Sequence, residues 1–264
     1  MPPRIGVFDS GFGGLTVLRE LRKTLPGADY LYFGDTAHLP YGAKSVRTVA
    51  KYAIASAQFL EQHGLEMLVI ACNTATALAL DDIRGAVKVP VVGVIEPGAR
   101  RAAQISRTKN AAVIATEATV ASHAYQRALH SFGLQATEKA CPLLVPLVEE
   151  GWVEHPVTEQ VAHIYVDAIF RDGARNADVL LLGCTHYPLI RPLLRRVVPP
   201  QVEIVDSAES TAAEVLELLG QQPLGTKPGT LRCYATDSVE KFRRLGEKFL
   251  GCPIEAIELI DIER

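Results

Sequence analysis

The sequence predicts an α/β fold, in which parallel strands form sheets that are covered by helices. Short apolar runs alternate with longer helical patterns along almost all of the 264 residues. Most of the apolar runs lack the in/out alternation of a half-exposed strand, which is typical of strands buried on both faces. A strand followed by a helix, repeated many times, indicates a parallel sheet rather than a hairpin-built one.

The individual elements follow from local patterns. Short apolar runs, several of them rich in β-branched residues, predict strands over residues 5–8, 30–33, 67–71, 91–94, 111–115, 179–182, 203–205 and 232–235. An amphipathic stripe formed by Val46, Val49, Ala53, Ala57 and Leu60 predicts the clearest helix. Further helices are predicted over residues 13–25, 74–84, 119–132, 158–174, 188–197, 208–219 and 239–250. A Gly/Pro/Thr-rich stretch over 220–229 predicts an exposed loop.

Two segments of the chain share one design, which suggests an internal duplication. The runs LVIACNT (68–74) and LLLGCTH (180–186) both read as an apolar strand, a small residue, a cysteine and two polar residues. The strands at 5–10 and 112–116 likewise both end in a hydroxyl-bearing turn. Two similar α/β halves that face each other would explain these matches, whereas a chance match of two buried strands is the alternative.

Composition excludes several classes of function. The formal net charge is −3, and the basic residues form only scattered pairs, so the chain lacks the basic face that nucleic acid requires. No run reaches the roughly 18 apolar residues of a membrane helix. The first residues do not have the pattern of a signal peptide. We therefore expect a cytoplasmic enzyme or small-molecule binder, with no nucleic-acid or membrane partner.

The five cysteines are odd in number and widely spaced, with no C-x-x-C pair, so they do not form a disulfide framework. Two of them, Cys72 and Cys184, each follow a predicted strand and precede a predicted helix. A helix N-terminus has a positive potential, which predicts a lowered pKa and a thiolate at both sites. The other three cysteines are interpreted as inert.

Three kinds of chemistry are compatible with residues of these cysteine turns. Cys184 and His186 could be metal ligands, but a second ligand pair is missing, and we expect no metal. The same two residues could act as nucleophile and base in a thiol hydrolase, which leaves Cys72 without a role. Two thiols on opposite sides of one ligand would instead allow one to remove a proton from carbon while the other donates one to the opposite face.

Other polar segments also follow predicted strands, where ligands bind in open α/β sheets. The glycine turn DSGFGG (9–14) could cradle a phosphate or carboxylate, but it matches neither the dinucleotide fingerprint nor a P-loop. The segment GDTAHLPYG (34–42) is dense in hydrogen-bonding groups, and Pro40 and Gly42 could hold it in a defined shape.

Five motifs together resemble those of the glutamate racemases. They are FDSGFGG (8–14), GDT through PYG (34–42), ACNTA (71–75), VPLVEEG (145–151) and GCTHYPL (183–189). The resemblance spans most of the chain in the expected order. It implies cofactor-independent racemisation of L- and D-glutamate, supply of D-glutamate for bacterial peptidoglycan, two facing α/β domains with the active site between them, and a homodimer. The corresponding domains would be residues 1–95 with 209–264, and residues 96–208.

The resemblance also implies roles for individual residues. Cys72 and Cys184 would be the two acid/base thiols, Asp9 and His186 would assist them, and Asp35 and Glu149 would be nearby charges. The substrate-binding residues would be Asp9, Ser10, Pro40, Tyr41, Gly42, Asn73, Thr74, Thr116, Thr119, Thr185 and His186. The adjacent Glu149 and Glu150 leave the assignment of the glutamate ambiguous. The run Ala235-Thr236-Asp237 replaces the Thr-Gly-Asp common late in the family, which bears on the C-terminal fold more than on the site.

Two alternatives remain open at this stage. One is a racemase that acts on aspartate or another amino acid. The other is a bilobed amino-acid-binding protein without turnover, which would have no need for paired thiols.

Overall fold

The computed structural model describes residues 2–220 and 228–262. Its strands are β1 (Arg4–Asp9), β2 (Asp29–Gly34), β3 (Met67–Ile70), β4 (Val91–Gly93), β5 (Asn110–Ala115), β6 (Gln135–Ala140), β7 (Val179–Gly183), β8 (Glu203–Asp206), β9 (Leu231–Ala235) and β10 (Ile257–Leu259). Its α-helices are α1 (Leu15–Thr24), α2 (Val46–Glu61), α3 (Asn73–Ala86), α4 (Ile95–Ile105), α5 (Glu117–Ala121), α6 (Ala124–Ser131), α7 (Leu144–Glu149), α8 (Pro156–Asp172), α9 (Arg191–Val197), α10 (Ser207–Leu219) and α11 (Val239–Leu250). Short 3₁₀ turns cover Thr36–His38, Tyr41–Ala43 and Tyr187–Ile190.

The strands form two parallel sheets. The first has the order β10-β9-β2-β1-β3-β4, and the second has the order β6-β5-β7-β8. The order β2-β1-β3-β4 in the first sheet therefore matches the order β6-β5-β7-β8 in the second. In this match β3, which precedes Cys72, is equivalent to β7, which precedes Cys184. This confirms the predicted fold class of two similar parallel sheets flanked by helices. The domain limits at residues 95 and 208 stay a prediction.

Strand burial explains why the apolar runs were recognisable. All residues of β3 and of β7 are buried, as are those of β1 after Arg4. Helices α1 and α4 both pack against α10, which follows the last strand of the second sheet. This helix therefore packs against helices that are connected to both sheets.

Several elements differ from the predictions. Strands β6 and β10 were not predicted because they are only partly buried and carry polar residues. Helices α4 and α7 were also missed, and α4 carries a proline and a glycine in its first half. The predicted helix over 119–132 is instead two helices, since His123 adopts a left-handed conformation with φ of 54°. The loop predicted over 220–229 lies largely outside the described residues.

Among the residues that the structure describes, no helix has the length and apolar character needed to cross a membrane.

Candidate active site

A cavity of about 410 Å³ lies where strands of both sheets end. Of the predicted site residues, it is lined by Ser10, Pro40, Tyr41, Gly42, Cys72, Asn73, Thr74, Thr116, Glu149, Cys184, Thr185 and His186. This volume is in the range of small-molecule sites. Residues that are far apart in sequence and follow different strands therefore surround one space, and both candidate thiols are among them.

Cys72 is at the N-cap of α3, directly after β3, and is only 4% exposed. Its Sγ accepts a hydrogen bond from the Ala75 amide at 3.4 Å, and its thiol donates to Ser10 Oγ at 3.5 Å. These contacts are the helix N-terminal environment that the sequence predicts. They fix the sulfur at the wall of the cavity.

The prediction of a lowered pKa at Cys72 is wrong. Burial, followed by the charge of the nearby Asp9 carboxylate, raises the pKa of this thiol to about 12, although the hydrogen bonds with Ser10 and Ala75 lower it. Asp9 is itself buried, and this burial raises its own pKa despite the opposing charge of His186. Cys72 is therefore a neutral thiol near neutral pH, because a negative neighbour and the loss of water outweigh the helix terminus.

Cys184 follows β7 and has different neighbours. Its Sγ is 3.8 Å from His186 Nδ1, and His186 Nε2 is 3.4 Å from an oxygen of Glu149. Burial would lower the pKa of His186, but its contacts with Cys184 and Glu149 raise it to about 10. His186 is therefore protonated at neutral pH, and it places a positive charge beside this sulfur.

Of the two adjacent acids, Glu149 is the one that contacts His186. Burial tends to raise the pKa of Glu149, but His186 and Lys241 lower it overall, so the side chain is ionised. Glu149 lines the cavity, whereas its neighbour Glu150 does not. The geometry thus favours Glu149 as the acidic group, and its role stays a prediction.

Hydroxyl groups from both halves meet at one wall of the cavity. Thr74 Oγ1 is 3.0 Å from Thr116 Oγ1 and 3.3 Å from Thr119 Oγ1. Thr116 caps α5 and lines the cavity with Thr74, while Thr119 lies behind them. Asn73 donates from Nδ2 to the Tyr125 hydroxyl at 2.8 Å. These groups provide hydrogen bonds of both polarities for a ligand that carries carboxylates and an ammonium.

Three of the predicted residues, Asp9, Asp35 and Thr119, do not line the cavity. Asp35 is fully buried and accepts hydrogen bonds from the Tyr41 hydroxyl at 2.6 Å and from Thr236 at 2.9 Å. It therefore positions Tyr41, which lines the cavity, rather than facing a ligand. Thr236 is the residue after the end of β9, and its hydrogen bond to Asp35 connects this strand to the network.

Other residues of the wall were not predicted. They are Leu39, Ala43, Glu117, Pro142, Val145, Pro146 and Lys241. Lys241 lies on the predicted helix of α11, where it reads as an ordinary exposed residue. Nothing in the local sequence distinguishes it, because its place in the wall depends on how α11 packs near α7.

The fold and the site define the class of this protein: an α/β enzyme whose site lies at the strand ends of two similar parallel sheets. Comparison with known proteins gives the family. Residues 5–215 match the family described as Asp/Glu/Hydantoin racemase. The chain belongs to this family, and it is an amino-acid racemase.

Individual relatives match over their whole length. The chain is 57% identical to a glutamate racemase from Koribacter versatilis, with 98% of each chain covered. A glutamate racemase from Francisella tularensis, solved in complex with D-glutamate, superposes with a TM-score of 0.91 at 36% identity, covering 99% of this chain and 98% of that one. A Thermus thermophilus glutamate racemase gives a TM-score of 0.88 at 44% identity, covering 99% and 98%.

Proposed function

We propose that this protein interconverts L- and D-glutamate without a cofactor, with Cys72 and Cys184 as its two acid/base groups. The observation that carries the proposal is that two thiols at equivalent strand ends of the two sheets line one cavity. The full-length relatives named glutamate racemase support glutamate as the substrate.

The two thiols have different electrostatic surroundings. At Cys184 an imidazolium lies 3.8 Å from the sulfur, so a thiolate there has a charge partner. Cys72 is a neutral thiol beside Asp9. In one direction, the Cys184 thiolate removes the α-proton from one face of Cα, and the Cys72 thiol gives its proton to the other face. The reverse direction begins with the opposite protonation states.

The difficult step is to stabilise the carbanion. The α-proton of an amino acid is weakly acidic, so groups already in place must stabilise the charge that develops on the substrate. Hydrogen bonds to other side chains hold four such groups in place. These are the hydroxyls of Thr74, Thr116 and Tyr41 and the side-chain amide of Asn73. Closure of the two halves around the substrate would exclude water and strengthen these interactions.

The wider role also belongs to the proposal. We infer that the enzyme acts in the cytoplasm, where it supplies D-glutamate for peptidoglycan, that it forms a homodimer, and that its domains are residues 1–95 with 209–264 and residues 96–208. The resemblance of the five motifs to glutamate racemases supports these points.

The experiment is incubation of the purified protein with L-glutamate in D2O without added cofactor. We expect the optical rotation to decay and deuterium to appear at Cα. Early in the reaction, D-glutamate should carry deuterium while the remaining L-glutamate does not, because separate groups remove and donate the proton. Deuterium in both enantiomers would indicate a single base and contradict the two-thiol scheme.

The same experiment with aspartate tests the substrate. Exchange of aspartate but not of glutamate would keep the mechanism and overturn the substrate. A lack of exchange with either amino acid would contradict the proposal as a whole.

A further inference from the structure

Lys241 is a cationic side chain of the cavity wall that has a defined set of partners. It lies in the first turn of α11, and its side chain is 46% exposed. Its ammonium is 3.5 Å from Oε2 of Glu149 and 5.7 Å from the centroid of the Phe12 ring. The lysine therefore contacts both an acidic residue of the cavity and the buried ring of Phe12.

Glu149 is held by one cation on each of its two oxygens. Oε2 faces Lys241, and Oε1 is 3.4 Å from His186 Nε2. The other ring nitrogen of His186 is 3.8 Å from Cys184 Sγ. The ammonium of Lys241, the carboxylate of Glu149 and the imidazolium of His186 thus form a row of alternating charge that ends at the sulfur of Cys184.

This chain of charges joins the two halves of the molecule. Lys241 belongs to α11, which follows β9 of the first sheet, whereas Glu149 and His186 follow β6 and β7 of the second. The Phe12 ring also packs against the His186 ring, with 6.0 Å between centroids. The lysine and the histidine therefore both pack against the ring of Phe12.

We propose that Lys241 is a positioning residue whose ammonium holds Glu149 against His186, so that the imidazolium stays beside Cys184. The inference rests on the proposed racemisation. A bound glutamate brings two carboxylates into a cavity where Glu149 already carries a negative charge. Without the second cation, repulsion would turn Glu149 away from the substrate and from His186.

The first test compares three variants on α11. Lys241→Met removes the charge, Lys241→Arg keeps it, and Lys248→Met changes an exposed lysine two turns along the same helix that does not line the cavity. A half-exposed ion pair is worth up to about 1 kcal/mol, so we expect Lys241→Met to lower kcat about fivefold. KM should change little, Lys241→Arg should restore most of the rate, and Lys248→Met should behave like the wild type.

A double-mutant cycle tests whether the lysine acts through Glu149. In a Glu149→Gln background, Lys241→Met should cause no further loss of kcat, because the charge that it holds is gone. Independent losses in the two backgrounds, a wild-type kcat in Lys241→Met, or an effect on KM alone would each overturn the proposal.

The second readout does not require turnover. The His186 imidazole can be followed by NMR across pH, where it responds to Cys184, Glu149 and Asp9, the charged and titratable groups that face it. Removal of the ammonium charge would by itself raise the pKa of His186, whereas loss of Glu149 from the ring would lower it. We expect the loss of Glu149 to dominate, so that the pKa of His186 falls in Lys241→Met and recovers in Lys241→Arg. An unchanged titration would overturn the positioning role. A shifted titration in a protein that does not racemise glutamate would support the positioning role and overturn the proposed function.

Discussion

The surroundings of Cys72 and of Cys184 differ, although the two residues occupy equivalent strand ends. Cys72 contacts a serine hydroxyl and a backbone amide, with the buried Asp9 carboxylate nearby. Cys184 contacts an imidazolium that is itself held by Glu149. The two sheets have the same strand order, so both cysteines occupy the same position at the end of a strand. The neighbouring side chains nevertheless give the two thiols opposite electrostatic environments.

Removal of either thiol is the most severe way to break this pairing. We expect Cys72→Ala and Cys184→Ala each to lower racemisation by roughly 10³-fold or more, since each proton transfer loses its only acid or base. Polarimetry with both enantiomers measures the loss. Cys252→Ala, at an exposed cysteine, is the matched control and should keep full activity. Near-normal turnover in either active-site variant would contradict the scheme.

A second change disturbs only the Cys184 side. A Cβ at Gly13 would lie 2.4 Å from Thr185 Oγ1 and 2.7 Å from the His186 ring. Gly13→Ala should therefore move His186, lower kcat by roughly 10²-fold and destabilise the fold by about 1–3 kcal/mol.

Gly85→Ala, in α3, is the control for this change because no atom lies within 4 Å of the added carbon. It should stabilise the protein slightly and leave the activity unchanged. Denaturant unfolding measures the stability of both variants, and steady-state kinetics measure their kcat. Normal activity in Gly13→Ala would show that His186 tolerates displacement.

The charge on His186 should also appear in the pH dependence of stability. Its pKa is raised from 6.5 in the unfolded chain to about 10 in the fold. The folded state therefore holds a proton that the unfolded state loses, so this contribution is complete below pH 6.5 and is lost as the pH rises through 10.

Between pH 7 and 8.5, the free energy of unfolding of the wild type should fall by about 1 kcal/mol per pH unit. His186→Gln should remove most of this slope. Urea unfolding at several pH values measures it, and equal slopes in the two proteins would mean that His186 is not held as a cation.

Asp9 provides the smallest test, on the Cys72 side. Asp9→Asn removes the negative charge that helps to raise the pKa of Cys72, so more thiolate should be present at pH 9. Alkylation of Cys72 by iodoacetamide should become roughly fivefold faster. Mass spectrometry reports the rate, with Cys252 in the same sample as the internal reference. An unchanged rate would mean that burial alone sets the state of Cys72.

The fold class, most strands and the two similar cysteine turns could be predicted from the amino-acid sequence alone. Strands such as β3 and β7 are buried on both faces, and their continuous apolar runs are visible without any tertiary information. The partly buried edge strands β6 and β10 escaped recognition because their composition is that of a surface segment. The motifs also identified most of the cavity wall, since polar residues that follow parallel strands collect at one edge of a sheet.

The electrostatics of the site, by contrast, depend on contacts between segments that are remote along the chain. The cysteine turns look alike in sequence, yet one thiol lies near Asp9, the last residue of β1, and the other contacts His186, which Glu149 of α7 holds in turn. Lys241 joins this network from α11, a helix of the other half. The pKa of a buried group depends on its distance to charges and on the water it loses, and these are set by packing between segments that are remote along the chain.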